Sequence, residues 1–163
     1  SLILYLQLLI MQPDYQLIYK QFHELSGSEV YTILQLRATV FVVEQNCVYA
    51  DADGLDNLAG HLMLYYKELL IAYTRIFSPG VIKEEAVIGR VVTHPGYRGK
   101  GLGKMIMDES ISIINKEHTS ASIYLSAQEH LKRFYENLGF LQAGEGYLED
   151  GIPHIPMVRN ATS

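Results

Sequence analysis

Val91-Val92-Thr93-His94-Pro95-Gly96-Tyr97-Arg98-Gly99-Lys100-Gly101-Leu102-Gly103-Lys104 joins a β-branched strand to a glycine-rich turn and then to a helix. This stretch decides the fold class. After Gly103 the apolar residues fall at Met105, Ile106, Ile113 and Ile114, with Leu102 ahead of them, which is one face of a 3.6-residue period. The helix is therefore expected to start at the glycines. Gly99, Gly101 and Gly103 carry no Cβ and can take positive φ, so successive backbone N–H groups can converge on an anion at the positive end of the helix dipole. Arg98, Lys100 and Lys104 add positive charge at the same place. The expectation is a phosphate cradle.

Spacing narrows which phosphate it holds. A nucleoside-triphosphate loop needs a glycine five positions before Gly103 and a Ser or Thr after Lys104; Arg98 and Met105 stand there. A dinucleotide fingerprint needs a third glycine where Ile106 stands. What remains is Arg98-x-x-Gly101-x-Gly103 after a strand. Downstream, Ala121 to Ser126 reads as a buried strand, and Gln128 to Leu138 as a short helix ended by Gly139, with Phe140-Leu141 resuming extended. Tyr135 in that helix is a core aromatic or a proton donor, since a phenol of pKa about 10 is protonated at neutral pH and can donate to a thiolate.

Arg98-x-x-Gly101-x-Gly103 resembles the pyrophosphate-binding segment of the GNAT superfamily of N-acetyltransferases, and Phe134-Tyr135-x-x-x-Gly139-Phe140 resembles its segment in which a Tyr protonates the departing coenzyme A thiolate. Five further runs are similar to the ElaA-like subgroup: Leu36 to Cys47, Asp51-x-Asp53-Gly54-x-Asp56, Ile88 to Val92, Tyr124 to Leu131, and Glu149 to His154. The resemblance spans about Tyr15 to Arg159. It implies an α/β fold with a mixed, mostly antiparallel six- to seven-stranded sheet flanked by helices, its fourth and fifth strands splayed. It also implies an acetyl-CoA-dependent N-acyltransferase that moves an acetyl group to a primary amine by direct attack in a ternary complex. Acetyl-CoA would be held by Arg98, Gly99, Lys100, Gly101, Leu102, Gly103 and Lys104, by the backbone of Val91, Val92 and Thr93, and by Gln128 and Phe134. Tyr135 would be the general acid. The pattern departs from the family where an Asn and an Ala are frequent at the start of the last helix, since Gln128 and Leu131 stand there. It also departs at Val87, where histone-acetylating members carry an acidic base.

The acceptor side has several candidates. An ammonium must lose a proton before or during attack, and Glu44, His61, Glu149 and His154 are the groups considered for it. Glu44 lies seven residues after Arg37 and is expected on one helix face with Arg37 and Phe41. Arg37, Glu44 and His61 are thus substrate-binding candidates, and Glu44, Glu149 and His154 catalytic ones; an Arg37–Glu44 structural pair is the alternative for that face. Asp51, Asp53 and Asp56 resemble a calcium loop only superficially, with Gly54 at the fourth position rather than the sixth, so a solvated turn is expected and no metal.

Composition sets the frame. The 163 residues are 48% apolar, enough for one domain burying about 70% of its unfolded surface. A net charge of −5 argues against nonspecific nucleic-acid binding. Cys47 is the only cysteine, which excludes an intrachain disulfide and points to a reducing, cytoplasmic setting, with the thiol packed behind Ile33, Leu36, Val40 and Val43. Residues 1–14 are read as an N-terminal extension or leader, with Met11 a candidate start, and 15–160 as the acetyltransferase domain. The apolar run Ser1–Ile10 is too short for a membrane span. Strands are expected near 16–22, 61–66, 69–77, 86–93, 122, 140 and 155, with helices from an N-cap at Ser28 (Tyr31 at N3) to Gln45 and from the cradle to Lys116. The partners implied are acetyl-CoA and an amine, small molecule or peptide, with monomer and homodimer both open. A noncatalytic acyl-CoA-binding regulatory module is the alternative, against which the Tyr135 phenol weighs.

Overall fold

A computed structural model describes residues 14–162. The expectations for the leader, including Met11, lie outside these residues. Eight strands form one sheet: β1 (Tyr15–Gln21), β2 (Gly60–Tyr66), β3 (Leu69–Phe77), β4 (Ala86–Thr93), β5 (Ile123–Gln128), β6 (Leu141–Gln142), β7 (Tyr147–Glu149) and β8 (Ile152–Arg159). Their order is β1-β2-β3-β4-β5-β8-β6, with β7 paired to β8. Every pair is antiparallel except β4–β5. The eighth strand, beyond the six or seven expected, arises because Asp150 (φ 49°) and Gly151 (φ 77°) form a two-residue turn that folds β7 back on β8.

The first helix, α1 (Gly27–Arg37), is capped by Ser26 rather than Ser28. Ser26 Oγ accepts from the Glu29 N–H at 3.1 Å and Glu29 Oε1 accepts from the Ser26 N–H at 3.2 Å, so Ser-x-x-Glu satisfies two free donors at once. Tyr31, three residues after Ser28, has no carboxylate or amide to complete such a box. Beyond Arg37 the helix does not run on in α form to Gln45. Ala38–Glu44 is wound as a π-helix, with Gln45 N–H bonding Val40 O and Cys47 N–H bonding Val42 O, five residues back. The wider turn removes Val43 from the buried stripe, leaving it 74% exposed, and Glu44 no longer stands above Arg37.

Two cores sit on opposite faces of the sheet. On one face α2 (Leu102–Glu117) buries Leu102, Met105, Ile106, Met107, Ile111 and Ile114 against Leu62, Leu64, Ile76, Ile88 and Leu125. On the other, Ile33, Leu36 and Val40 cover Met63, Leu70, Tyr73 and Val92. β4 serves both, and a bulge sets which of its residues faces which core. Its register against β3 slips by one residue between Tyr73↔Val92 and Arg75↔Gly89, and Arg90 takes φ 51° there. Ala86 and Ile88 therefore face the α2 core, whereas Val92 faces α1.

β4 and β5 touch only at Ala86↔Ile123 and Val87↔Tyr124, then separate. The expected splay is present. Gln128 closes β5 rather than opening the next helix, and a 3-10 turn (Glu129–Leu131) leads into α3 (Lys132–Glu136). Gly139 (φ 90°) ends that helix, with its N–H bonding Glu136 O. Among the described residues no helix is long and apolar enough to cross a membrane.

Candidate active site

The splay opens a cavity of about 900 Å³ bounded by β4, β5, the π-helix, residues 47–53, α3 and the β7–β8 turn. At one end lies the glycine turn. Gly99 (φ 77°) and Gly101 (φ 74°) take the left-handed backbone that glycine permits, and a Cβ built on either would meet nothing within 4 Å. α2 starts directly after Gly101 with no side-chain cap, so its first N–H groups remain available to an anion. The residues present thus fit a phosphate. The Phe134 ring lies against the helix start, where a Cβ on Gly103 would meet it in ordinary van der Waals contact at 3.6 Å.

The cations expected there have partners within the protein. Lys104 Nζ meets Asp108 Oδ2 at 2.9 Å, and Lys100 lies over the Tyr97 ring at 5.0 Å. Arg98 gives both terminal nitrogens to Glu44, at 2.6 and 2.9 Å. The guanidinium holds the Glu44 carboxyl below the usual carboxylate range. Of the expected cofactor residues, Val91, Val92, Thr93, Arg98, Gly103, Gln128 and Phe134 line the cavity, whereas Gly99, Lys100, Gly101, Leu102 and Lys104 form the turn beside it, Leu102 being buried.

Tyr135 is 6% exposed and also borders the cavity. Phe134 at 5.0 Å and Phe140 at 6.1 Å, centroid to centroid, hold its ring edge to face. Burial pushes its phenol up to about 12, so it keeps its proton throughout the physiological range.

Across the cavity stands His154, with Glu149 beside it. His154 Nδ1 lies 2.7 Å from Ile152 O; a carbonyl only accepts, so Nδ1 carries a hydrogen. Glu149 Oε2 sits 3.3 Å from Nε2. The Tyr147 ring stacks on the imidazole at 6.2 Å, and its hydroxyl bonds Ser126 on β5, tying the hairpin to the sheet. Glu44, Glu149 and His154 are therefore brought to one cavity. Cys47 is buried, as expected, and its thiol donates to Asp150 O at 3.4 Å.

Arg37 and His61 are not brought there, and neither lines the cavity. Arg37 is fully buried and pairs with Asp51 (2.8 Å) and Asp56 (2.7 Å), which corrects the Arg37–Glu44 pairing: the π-helix turns Glu44 away toward Arg98. His61 uses both ring nitrogens, toward Tyr73 Oη at 2.8 Å and Asp56 O at 2.9 Å, and its burial lowers its pKa. The three aspartates are not a solvated turn either. Asp51 and Asp53 bind Arg90, Asp53 and Asp56 bind Arg75, and Asp56 and Asp51 bind Arg37, giving a closed ring of three arginines alternating with three aspartates. Asp53, despite partial burial, is carried down to about 2 by Arg75 and Arg90. Among the described residues no cluster of His, Cys, Asp and Glu is placed to hold a metal. Asp53 and Arg90 of this ring line the cavity with Tyr49, which bonds Asp51; sequence reading gives Asp53 only a solvated turn and none of the three a place in the site. Their signal was an arginine inside each of two apolar strands, Arg75 in β3 and Arg90 in β4, since a charge so placed requires a partner.

Comparison with known proteins agrees with this geometry. Residues 43–161 match a family model described as "Acetyltransferase (GNAT) domain". The chain is 44% identical to Protein ElaA of Escherichia coli over 139 residues, 83% of this chain and 90% of that protein. The crystal structure of an acyl-CoA N-acyltransferase from Pseudomonas aeruginosa superposes with TM-score 0.85 at 41% identity, covering 88% of this chain and 99% of that one. That of Escherichia coli ElaA gives 0.84 at 39% identity over 90% and 99%. A parallel strand pair that parts beside an uncapped helix start is what this kinship accounts for: the chain belongs to the GNAT acetyltransferase family, whose chemistry is acyl transfer from an acyl-CoA to an amine.

Proposed function

We propose that the protein is an acetyl-CoA-dependent N-acetyltransferase acting on a primary amine in a ternary complex, with Tyr135 as general acid and His154, backed by Glu149, as proton acceptor. The observation that carries this reading is that one cavity is bordered by a buried, protonated phenol on α3 and by the His154 imidazole of β8 with the Glu149 carboxylate beside it. The glycine turn and the start of α2 would hold the diphosphate of acetyl-CoA. The exposed edge of Val91, Val92 and Thr93 would pair with its amide arm, since β5 has left that edge after Val87.

Proton bookkeeping closes within these residues. His154 Nε2 takes one proton from the incoming ammonium, and the resulting imidazolium donates to Ile152 O and faces the Glu149 carboxylate. The free amine attacks the thioester carbon, the C–S bond breaks, and the thiolate takes the Tyr135 proton. The second proton lost by the nitrogen restores the phenol. The net products are an amide, coenzyme A thiol and one proton delivered to solvent through His154.

Thiol release from acetyl-CoA across a panel of amines tests the reading. Gly101→Glu is the control, because a Cβ and carboxylate at φ 74° intrude on the cradle and oppose phosphate. A folded Gly101→Glu protein should bind no acetyl-CoA in calorimetry; unchanged binding would reject the phosphate assignment.

A further inference from the structure

The Arg98–Glu44 contact joins two parts of the cavity that have different ligands. Arg98 precedes the glycine turn, whereas Glu44 ends the π-helix beside Phe41. Arg98 Nη2 reaches Glu44 Oε1 at 2.6 Å and Nη1 reaches Oε2 at 2.9 Å, a two-pronged pair across 54 residues of sequence. A phosphate presents the same face of two oxygens to a guanidinium. Glu44 therefore occupies the fork that a diphosphate in the cradle would use. The pair is breakable, its side chains being 45% and 40% exposed.

Resting on the cofactor reading above, we propose that Glu44 and the diphosphate of acetyl-CoA are alternative partners of Arg98, and that the displaced Glu44 carboxylate is the site for the acceptor's ammonium. The other carboxylates of the cavity do not answer this description. Asp53 is bound by Arg75 and Arg90, Glu149 faces His154, and Asp150 makes no ion pair among the described residues; phosphate binding at the turn takes a partner from none of the three. Glu44 alone among them loses its counter-charge when the cofactor arrives. It would then stand in the cavity opposite in charge to a protonated amine. Coupling of this kind is reciprocal, so an ammonium on Glu44 frees Arg98 and tightens the cofactor. Glu44 is thus a positioning residue for the amine, while proton removal belongs to His154.

Calorimetry with coenzyme A and with pantetheine, which lacks the phosphates, tests this. Glu44→Gln should bind coenzyme A about two- to five-fold more tightly at low salt, the scale of an exposed ion pair, and pantetheine unchanged. Arg98→Met should weaken coenzyme A, and adding Glu44→Gln to it should bring no further change, since the competitor has lost its target. The ¹³C carboxyl resonance of Glu44 should move when coenzyme A binds, not with pantetheine, and move again when ethylammonium is added to the coenzyme A complex but not to the protein alone. Unchanged or weaker binding of coenzyme A by a folded Glu44→Gln protein, or a Glu44 resonance indifferent to coenzyme A, would overturn the proposal and leave the cofactor reading standing. Failure of the unaltered protein to bind coenzyme A would remove both.

Discussion

Arg37→Met separates a structural arginine from a substrate-binding one. The side chain is fully buried, and its guanidinium donates to Asp51 Oδ2 at 2.8 Å, Asp51 O at 2.9 Å and Asp56 Oδ1 at 2.7 Å. Methionine keeps much of the apolar stem and removes all three bonds. Removing one partner of a buried ion pair costs about 3–5 kcal/mol. Here Asp51 retains Arg90 and Asp56 retains Arg75, so the low end, about 3 kcal/mol, is expected. For a chain of this size that is a fall in Tm of roughly 6–12 °C. Urea unfolding at neutral pH gives the free energy, and a melting curve gives the shift. At a temperature where the variant is fully folded, the KM values for acetyl-CoA and for the amine should stay near those of the parent. A loss under about 1 kcal/mol, or a large rise in amine KM with stability intact, would refute the structural assignment and return Arg37 to the acceptor site.

Tyr135→Phe keeps the packing against Phe134 and Phe140, so kcat should fall by roughly 10²–10⁴-fold while coenzyme A affinity is unchanged, read by single-turnover thiol release. His154→Gln preserves a donor for Ile152 O but no base, so kcat/KM for the amine should drop by about 10²-fold or more; a folded variant with kcat/KM near the parent's would exclude His154. Folding stability should decline toward acid. Burial depresses His61, and Asp53 stands at about 2 in the folded protein against about 3.9 unfolded, so the unfolded chain binds more protons below neutrality. Stability should be full above about pH 6.5, ease as His61 titrates, and fall further between about pH 4 and 2 as Asp53 is protonated, measured by urea midpoints; a flat profile would contradict the ring.

Local chemistry was legible and long-range chemistry was not. The start of α2 could be read because Gly99, Gly101 and Gly103 and the apolar period that follows are neighbours in sequence. The place of Tyr135 at the cavity could be read because Phe134 precedes it in one short helix and Gly139 follows that helix. The cap at Ser26 lay in the same kind of local signal, Ser-x-x-Glu, and Ser28 was chosen without its returning carboxylate. The π winding of Ala38–Glu44 has no periodic mark of its own, yet it decides that Glu44 meets Arg98 instead of Arg37. His61 illustrates a different failure. A histidine locked into the core and one that lines a cavity look alike until the partners, Tyr73 and Asp56 for His61, are placed around them. Likewise the ring draws on positions 37, 51–56, 75 and 90, and no window of sequence holds them together.

The bulge at Arg90 decides which deletions β4 can absorb. Replacing Arg90 removes two links of the ring but leaves the count of residues along the strand, so Val92 still reaches the α1 core and Ala86 and Ile88 the α2 core. Deleting the residue restores plain alternation from Ala86 onward. Because the bulge is a one-residue excess, Val91 would stay toward α2 and Val92 toward α1. A one-residue deletion elsewhere in the strand, with the bulge kept, would instead exchange those two faces and reverse the edge to which the backbone N–H and C=O groups of 91–93 point. A chain shortened in that second way would keep nearly every side chain needed for a site and present its peptide groups to β3 where it should present them to a ligand.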